Sequence, residues 1–280
     1  MTTPTPTRRL AVPLLLLALP AAAPGADAAP IRITGTGSAI GLLERVSRAF
    51  EQAHPGSKVQ LLPSVGSAGA IRAVAAGALD VGLSGRELQP DERQAPVRLL
   101  GFARTPFLFA AAPGVAVRSL TAAEVVRIYR GQQIRWAGGE RIRLVLRPRA
   151  DADTAFLRAI SPEMAAAVDA AQGRPGMLVA TTNQECDQTV ATTPGGLGPS
   201  TLAQLLTEPR GLQPLAWEGV EPTLANLAAG RYPLSKPLYL VLPRAPSPAV
   251  RELVAFLGSP GGRRLLEESG CLPLPLPPLD

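Results

Sequence analysis

Short apolar segments alternate with segments of helical periodicity along most of the chain, and this alternation constrains the fold more than any other feature. Residues 31–34 form the first apolar segment. Leu42, Val46 and Phe50 then repeat at helical spacing until a stop signal at residues 54–56. Further strands are predicted at residues 59–62, near 81, and at 107–111, 142–146, 178–180 and 238–242. Strands that alternate with helices indicate an α/β protein with mostly parallel sheets covered by helices.

The composition excludes several classes of protein. With 46% hydrophobic residues and a net charge of +6 in 280 residues, the chain is not intrinsically disordered. A single His and two Cys exclude multi-histidine and thiolate metal sites, so we predict no metal and no cofactor. Basic residues do not cluster with aromatic ones, so no nucleic-acid partner is expected. Lys occurs only at positions 58 and 236, and 26 of the 28 basic residues are therefore arginines, which bind oxyanions bidentately.

The first 28 residues are typical of a secretory signal peptide. Arg8 and Arg9 precede an apolar run at 10–19, and small residues follow up to an A-x-A pattern that ends at Ala28. Ten apolar residues are too few to span a membrane. We therefore expect cleavage near Ala28 and a periplasmic location.

Export makes a disulfide between Cys186 and Cys271 possible. Two buried thiols are the alternative, and the sequence leaves both open.

Three small or polar loops lie directly before predicted helices, at residues 35–38, 66–69 and 151–154. Unpaired N–H groups at a helix start attract anions, and Ser or Thr hydroxyls add further donors. If the loops lie at the carboxyl ends of their strands, they can converge on one crevice. Each loop alone is better explained as a structural turn or a helix cap, but three together favour a cleft for an anion or a polar ligand.

Two arginines lie where strands end. Arg86 follows the strand near residue 81, and Arg147 ends the strand at 142–146, directly before the third loop. An arginine beside a helix start is well placed to bind an oxyanion. The alternative for each is an ordinary surface arginine.

At these loops the chain resembles the phosphate-binding periplasmic solute-binding proteins of ABC transporters, the PstS-like group. The resemblance covers roughly residues 30 to 275. The motifs that carry it are Gly35-Thr36-Gly37-Ser38, Gly66-Ser67-Ala68-Gly69, Asp80-Val81-Gly82-Leu83-Ser84, Leu120-Thr121-Ala122-Ala123-Glu124, Ile128-Tyr129-Arg130-Gly131 and Pro194-Gly195-Gly196-Leu197-Gly198.

The resemblance implies a two-lobed, type II periplasmic-binding fold with the ligand in the cleft between the lobes. Each lobe would be a mostly parallel sheet flanked by helices. We expect the first lobe at residues 29–112, the second at 113–232, and a return to the first lobe with a C-terminal tail at 233–280.

Ten residues are candidate ligand-binding residues on these grounds: Thr36, Ser38, Ser67, Gly69, Ser84, Arg86, Arg147, Asp151, Asp153 and Thr154. The resemblance places the hydroxyl of the first loop on Ser38 or Thr36, because Ala39 stands at the usual Ser/Thr position. It places a serine of the second loop at Ser67.

The chain also departs from the family's pattern at the site. The Ser-Gly-Thr that precedes one helix in the family is absent from residues 151–154, where Thr154 matches the family's Thr at the helix start. The Asp that accepts the proton of hydrogen phosphate in the family is replaced by Gly85. Asp151 or Asp153 is a candidate for that acceptor, and helix capping is the alternative role for both.

The resulting prediction is a monomeric binding protein, not an enzyme, that captures phosphate or a related oxyanion and delivers it to an ABC permease at the inner membrane. An oxyanion-binding module that serves a sensor or regulatory partner is the first alternative. An exported phosphate-ester hydrolase is the second, and the missing metal ligands and activated nucleophile argue against it.

Overall fold

The computed structural model describes residues 1–2 and 29–279, so the predicted signal peptide lies outside the described residues. The strands are Ile31–Gly35 (β1), Val59–Leu61 (β2), Val81–Ser84 (β3), Val97–Ala111 (β4), Ser119–Leu120 (β5), Arg143–Leu146 (β6), Leu178–Val179 (β7), Gly196–Thr201 (β8), Gln213–Trp217 (β9), Ser235–Pro243 (β10) and Leu272–Pro273 (β11). The helices are Ile40–Ala53 (α1), Gly66–Ala75 (α2), Ala122–Arg130 (α3), Ala152–Ile160 (α4), Pro162–Gly173 (α5), Asn183–Thr192 (α6), Leu202–Thr207 (α7), Leu224–Ala228 (α8), Pro248–Gly258 (α9) and Pro260–Glu268 (α10). Within the described residues, each helix is too short or too polar to cross a membrane.

The first lobe is built on β1, which pairs in parallel with β2 on one side and β3 on the other. The helical repeat predicted for the first helix forms α1, and Leu42, Val46 and Phe50 are all fully buried against this sheet. Burying an apolar stripe of this kind is what holds an amphipathic helix on a sheet. The strand–helix–strand prediction is confirmed here.

The second lobe repeats this arrangement around β6, which pairs in parallel with β7 and β8. Its core contains Tyr129, Leu144 and Met164. The capping box predicted for α3 is present, since the Thr121 hydroxyl accepts the Glu124 N–H and the Glu124 carboxylate accepts the Thr121 N–H. The cap fixes where α3 begins.

Strands β4 and β10 connect the two cores. Phe102 of β4 belongs to the first core and Phe107 to the second, only five residues later. The chain returns through β10, where Leu238 lies in the first core. Both strands pair antiparallel to each other and to their neighbours, whereas the strand–helix units pair in parallel.

Helix α7 lies outside the lobe that the sequence suggested for it. The span predicted for the second lobe, 113–232, contains this helix, but its Ala203 is buried in the core of the first lobe. The Ala203 N–H donates to the Thr105 hydroxyl of β4 at 3.1 Å, which fixes the helix there.

Cys186 and Cys271 are free, buried thiols. Cys186 belongs to a small cluster in the second lobe, and Cys271 lies in the core of the first. The two thiols therefore lie in separate cores, and the disulfide alternative is wrong.

Candidate functional site

A cavity of about 310 Å³ lies between the lobes, where two of the three predicted loops, 66–69 and 151–154, meet. The third predicted loop, 35–38, does not line it. Residues 64–69 and Arg72 of the first lobe line one side, and residues 148, 150–152 and 181–182 of the second lobe line the other. These segments follow β2, β6 and β7, so they lie at the carboxyl ends of parallel strands, where open α/β folds bind ligands. The cavity is thus bordered by the starts of three helices: α2, α4 and α6.

The start of α2 provides hydrogen-bond donors that no side chain caps among the described residues. Its preceding residue, Val65, has no oxygen in its side chain, and the first N–H groups of the helix are therefore available to a ligand. The Ser67 hydroxyl accepts the Gly85 N–H at 3.0 Å and keeps its own proton free to donate. Ser67 is 95% buried, and with Arg72 nearby this wall of the cavity suits an anion.

The start of α4 differs, because a carboxylate already caps it. One oxygen of Asp151 accepts the Asp153 N–H at 2.9 Å, and the other accepts from the Arg147 guanidinium at 2.9 Å. Burial and the negative charge of Asp153 raise the pKa of Asp151, against the opposing effect of Arg147. This wall of the cavity presents an acceptor.

The start of α6 contributes one hydroxyl donor. The Thr182 hydroxyl caps the helix by accepting the Glu185 N–H at 3.0 Å, which leaves its proton available. The Thr181 hydroxyl is not available, because it donates to the Glu185 carboxylate at 2.6 Å.

A buried ion pair lies at the junction of the lobes beside these helix starts. The ammonium of Lys236, on β10, contacts the Asp153 carboxylate of α4 and donates to the Ser38 hydroxyl at 2.8 Å. Asn183 also donates to Asp153, at 2.7 Å. Burial would raise the pKa of Asp153, but the positive charges of Lys236 and Arg147 and these hydrogen bonds hold it below its ordinary value.

Lys236 is a functional candidate that the sequence predictions missed. It is 99% buried, although Lys is almost never fully buried unless it is paired. Its signal in the sequence was its position beside an apolar strand in a chain with only one other lysine.

Gly85 makes room for Lys236. A Cβ atom at position 85 would lie 2.7 Å from Cε of Lys236. The position where the resembled family carries an Asp is therefore closed to a side chain while Lys236 occupies this space.

Arg147 is buried at the end of β6, as its predicted role requires, and is only 3% exposed. Besides Asp151, its guanidinium donates to the Ala180 carbonyl at 2.5 Å. Its Nε lies 3.7 Å from Asp153 and has no hydrogen-bond partner in the described part of the chain. A buried unsatisfied N–H is unusual and costs free energy.

Of the ten predicted residues, only three line the cavity, namely Ser67, Gly69 and Asp151. The other seven do not: Thr36, Ser38, Ser84, Arg86, Arg147, Asp153 and Thr154. Arg86 is held by Glu92, with contacts of 2.6 and 2.7 Å, and the Ser84 hydroxyl donates to the Arg86 carbonyl at 2.7 Å. The Thr154 hydroxyl donates to the Arg147 carbonyl at 3.2 Å. Thr36 is buried near the position where a Cβ at residue 85 would lie.

Two α/β lobes that enclose a polar cavity, with long strands running from one core to the other, define a ligand-binding protein of the periplasmic-binding type. The model of the PBP superfamily domain matches residues 20–260. The chain belongs to this family.

Solved structures of low sequence identity share the fold. A Clostridium perfringens protein solved with bound phosphate is 17% identical, with a TM-score of 0.76 over 88% of this chain and 100% of its own. An ABC-type phosphate transport receptor from Vibrio cholerae is 22% identical, with a TM-score of 0.61 over 87% and 99% of the two chains. A phosphate-binding protein from Stenotrophomonas maltophilia is 13% identical, with a TM-score of 0.64 over 88% and 91%. None of the curated proteins compared with this sequence matches it.

Proposed function

We propose that the protein is a periplasmic solute-binding protein that captures phosphate or a related oxyanion and delivers it to an ABC permease. The observation that carries this proposal is the uncapped start of α2, which faces the interlobe cavity together with the free hydroxyl proton of Ser67. Backbone N–H groups at a helix start and a nearby hydroxyl are the donors that bind a tetrahedral oxyanion. Similar folds solved as phosphate-binding proteins support the choice of ligand.

Arg147 supports the same proposal from the other lobe. Its Nε is buried without a partner, and a ligand oxygen would satisfy it after a small movement of the guanidinium. Ser38 is a further candidate, because it accepts from Lys236 and its own proton remains to be donated. Closure of the lobes around the anion would remove water and strengthen each of these hydrogen bonds.

The carboxylates of the site limit which oxyanion it takes. Asp151 and Asp153 balance the charges of Arg147 and Lys236, so the buried cluster has no net positive charge. A carboxylate repels an anion unless a proton lies between them. We therefore expect a protonated oxyanion such as hydrogen phosphate to bind better than sulfate, with Asp151, the carboxylate that lines the cavity, as the acceptor.

A hydrolase is the less favoured reading. The hydroxyls of Ser67 and Thr182 accept from backbone amides, and no base is placed to activate either of them among the described residues. His54, the only histidine, stacks on Phe50 at the end of α1, with ring centroids 4.5 Å apart. We propose a monomer that binds without turnover.

Calorimetric titration of the purified protein with phosphate, sulfate, molybdate and tungstate tests the proposal. Phosphate is expected to bind with a dissociation constant well below 100 μM, which corresponds to about 5.5 kcal/mol. Ser67→Ala removes one hydrogen bond to a charged ligand, worth about 1.5–3 kcal/mol, and should weaken binding roughly tenfold to a hundredfold.

Ser57→Ala is the matched control. Ser57 lies in the turn before β2, at the opposite end of that strand from the cavity, and its replacement should leave the affinity unchanged. Equal affinity of the Ser67→Ala variant and the unaltered protein, or binding of none of the four anions, would refute the proposal.

A further inference from the structure

We propose that the ligand is a zwitterion, in which a phosphonate or phosphate group is joined through a short carbon chain to an ammonium group that pairs with Asp151. This inference rests on the proposed oxyanion-binding function and names the class of ligand for the same cavity. It follows from the size of the cavity, from the opposite character of its walls, and from the remaining hydrogen-bonding capacity of Asp151.

The cavity is larger than an inorganic oxyanion needs. In the liquid a water molecule occupies about 30 Å³, so even at that volume for each of its five heavy atoms phosphate would take roughly 150 Å³. The cavity measures about 310 Å³. Room for roughly as much again remains beside the anion, which fits a short organic substituent.

The two long walls of the cavity have opposite polarity. The α2 wall offers uncapped N–H groups, the Ser67 hydroxyl and Arg72, all of which are donors or positive. The α4 wall offers the carboxylate of Asp151, which is an acceptor and negative. A fully ionised oxyanion matches only the first wall, and a ligand with an ammonium group at its other end matches both.

Asp151 can accept a further hydrogen bond. Each of its oxygens accepts one bond at present, from Asp153 and from Arg147, whereas a carboxylate has about four acceptor positions. Its side chain is 14% exposed, so it is accessible from the cavity although largely buried. The neighbouring Asp153 adds no accessible acceptor, because its side chain is 1% exposed and enclosed by Lys236 and Asn183.

The charge of the cluster supports the same class of ligand. Arg147 and Lys236 are balanced by Asp151 and Asp153, so the protein supplies no surplus positive charge below the cavity. Like charges held close in a poorly solvated site repel each other strongly. An ammonium group on the ligand brings its own compensation for Asp151, and the anionic end is then free to bind at α2.

The test compares two ligands that differ only in the ammonium group: 2-aminoethylphosphonate and ethylphosphonate. Titration of the purified protein should give at least tenfold tighter binding of the amino compound. The 1-carbon and 3-carbon amino homologues then report the separation of the two walls. Because this comparison uses the unaltered protein, it does not depend on any variant folding.

Asp151→Asn assigns the effect to a residue. Asn is as good a helix cap as Asp, so α4 should keep its start. The variant should bind the amino compound and ethylphosphonate equally tightly. Asp169→Asn, at a half-exposed carboxylate on α5, is the matched control and should keep the tenfold preference.

The outcomes separate this inference from the proposed function. Phosphate binding without any preference for the amino compound would overturn the zwitterion and leave the oxyanion function intact. A preference that survives Asp151→Asn would overturn the role of Asp151. If phosphate and both phosphonates all fail to bind, the proposed function fails first and the inference falls with it.

Discussion

Replacing Lys236 with Met should expose the cost of the buried ion pair between the lobes. The side chains of Lys236 and Asp153 are each 1% exposed. After the change the Asp153 carboxylate has therefore lost the ammonium, and water does not reach it to take the place of the ammonium. Removing one partner of a buried pair costs about 3–5 kcal/mol. Arg147 remains 3.7 Å from Asp153, a charge attraction of about 4 kcal/mol at an effective dielectric constant of 20, and Asn183 still donates at 2.7 Å.

Because these contacts remain, we expect a loss at the lower end of this range, about 3 kcal/mol in the free energy of unfolding at pH 7. Urea denaturation followed by circular dichroism measures it. Lys58→Met is the matched control at the only other lysine. Lys58 forms an exposed pair with Glu51 at 3.7 Å, which is worth at most about 1 kcal/mol.

Two further measurements show whether the unpaired charge causes the loss. The double variant Lys236→Met with Asp153→Asn should recover most of the stability, because Asn carries no charge. In the single variant the pKa of Asp153 rises, since Lys236 was holding it down. In the unaltered protein the depressed pKa keeps its stabilising effect down to about pH 4, whereas in the variant burial favours the neutral acid, and the carboxylate loses its unpaired charge by taking up a proton as the pH falls. The difference between native protein and variant should therefore shrink from pH 7 to pH 4.

Three results would refute this reasoning. A loss below 1 kcal/mol for Lys236→Met would mean that the pair is not buried as described. A double variant no more stable than the single one would place the cost in packing and not in charge. A difference in stability that is the same at pH 4 and pH 7 would exclude Asp153 as its source.

Two other predictions concern buried groups outside the cavity. Burial raises the pKa of Asp187 to about 7, although the Ser200 hydroxyl donates to it at 3.1 Å. The stabilising effect of the protonated carboxyl is complete below the unfolded pKa of about 3.9 and is lost as the pH rises through 7. Between pH 4 and pH 8 the free energy of unfolding of Asp187→Asn, measured in urea, should therefore rise by at most about 4 kcal/mol relative to that of the unaltered protein, and parallel pH profiles would contradict this. Cys186 and Cys271 are free and fully buried, so a thiol reagent should label neither of them in the native protein. Both should be labelled after unfolding in urea without reductant, and labelling only after reduction would show a disulfide.

Local sequence signals predicted many of the helices and strands, but they set two helix starts too late: residues 66–69 and 152–154, predicted as loops, form the first turns of α2 and α4. The stripe formed by Leu42, Val46 and Phe50 gave α1, because a helix that buries one face must repeat its apolar residues at helical spacing. Thr121 and Glu124, three residues apart, predicted the start of α3, because their side chains cap each other's backbone N–H groups. Gly66 and Ser67, in the first turn of α2, indicated a helix start that faces a ligand.

The resemblance to a known family gave the two-lobed arrangement, and the family match and the solved structures confirm it. It was less informative about the site, where this chain departs from the family's pattern. Gly85 in the sequence showed that an acid was missing, but not that Lys236, 151 residues later, fills the space.

The sequence by itself therefore determined the alternation of strands and helices, the small and polar residues at the helix starts, and the placement of Arg147 at the end of a strand. Each of these depends on residues close together in the chain. The tertiary structure decided which charges meet: Lys236 with Asp153, Arg147 with Asp151, and Arg86 with Glu92 away from the cavity. The physical reason is that a charge becomes decisive only when burial removes its water, and burial depends on how distant segments pack.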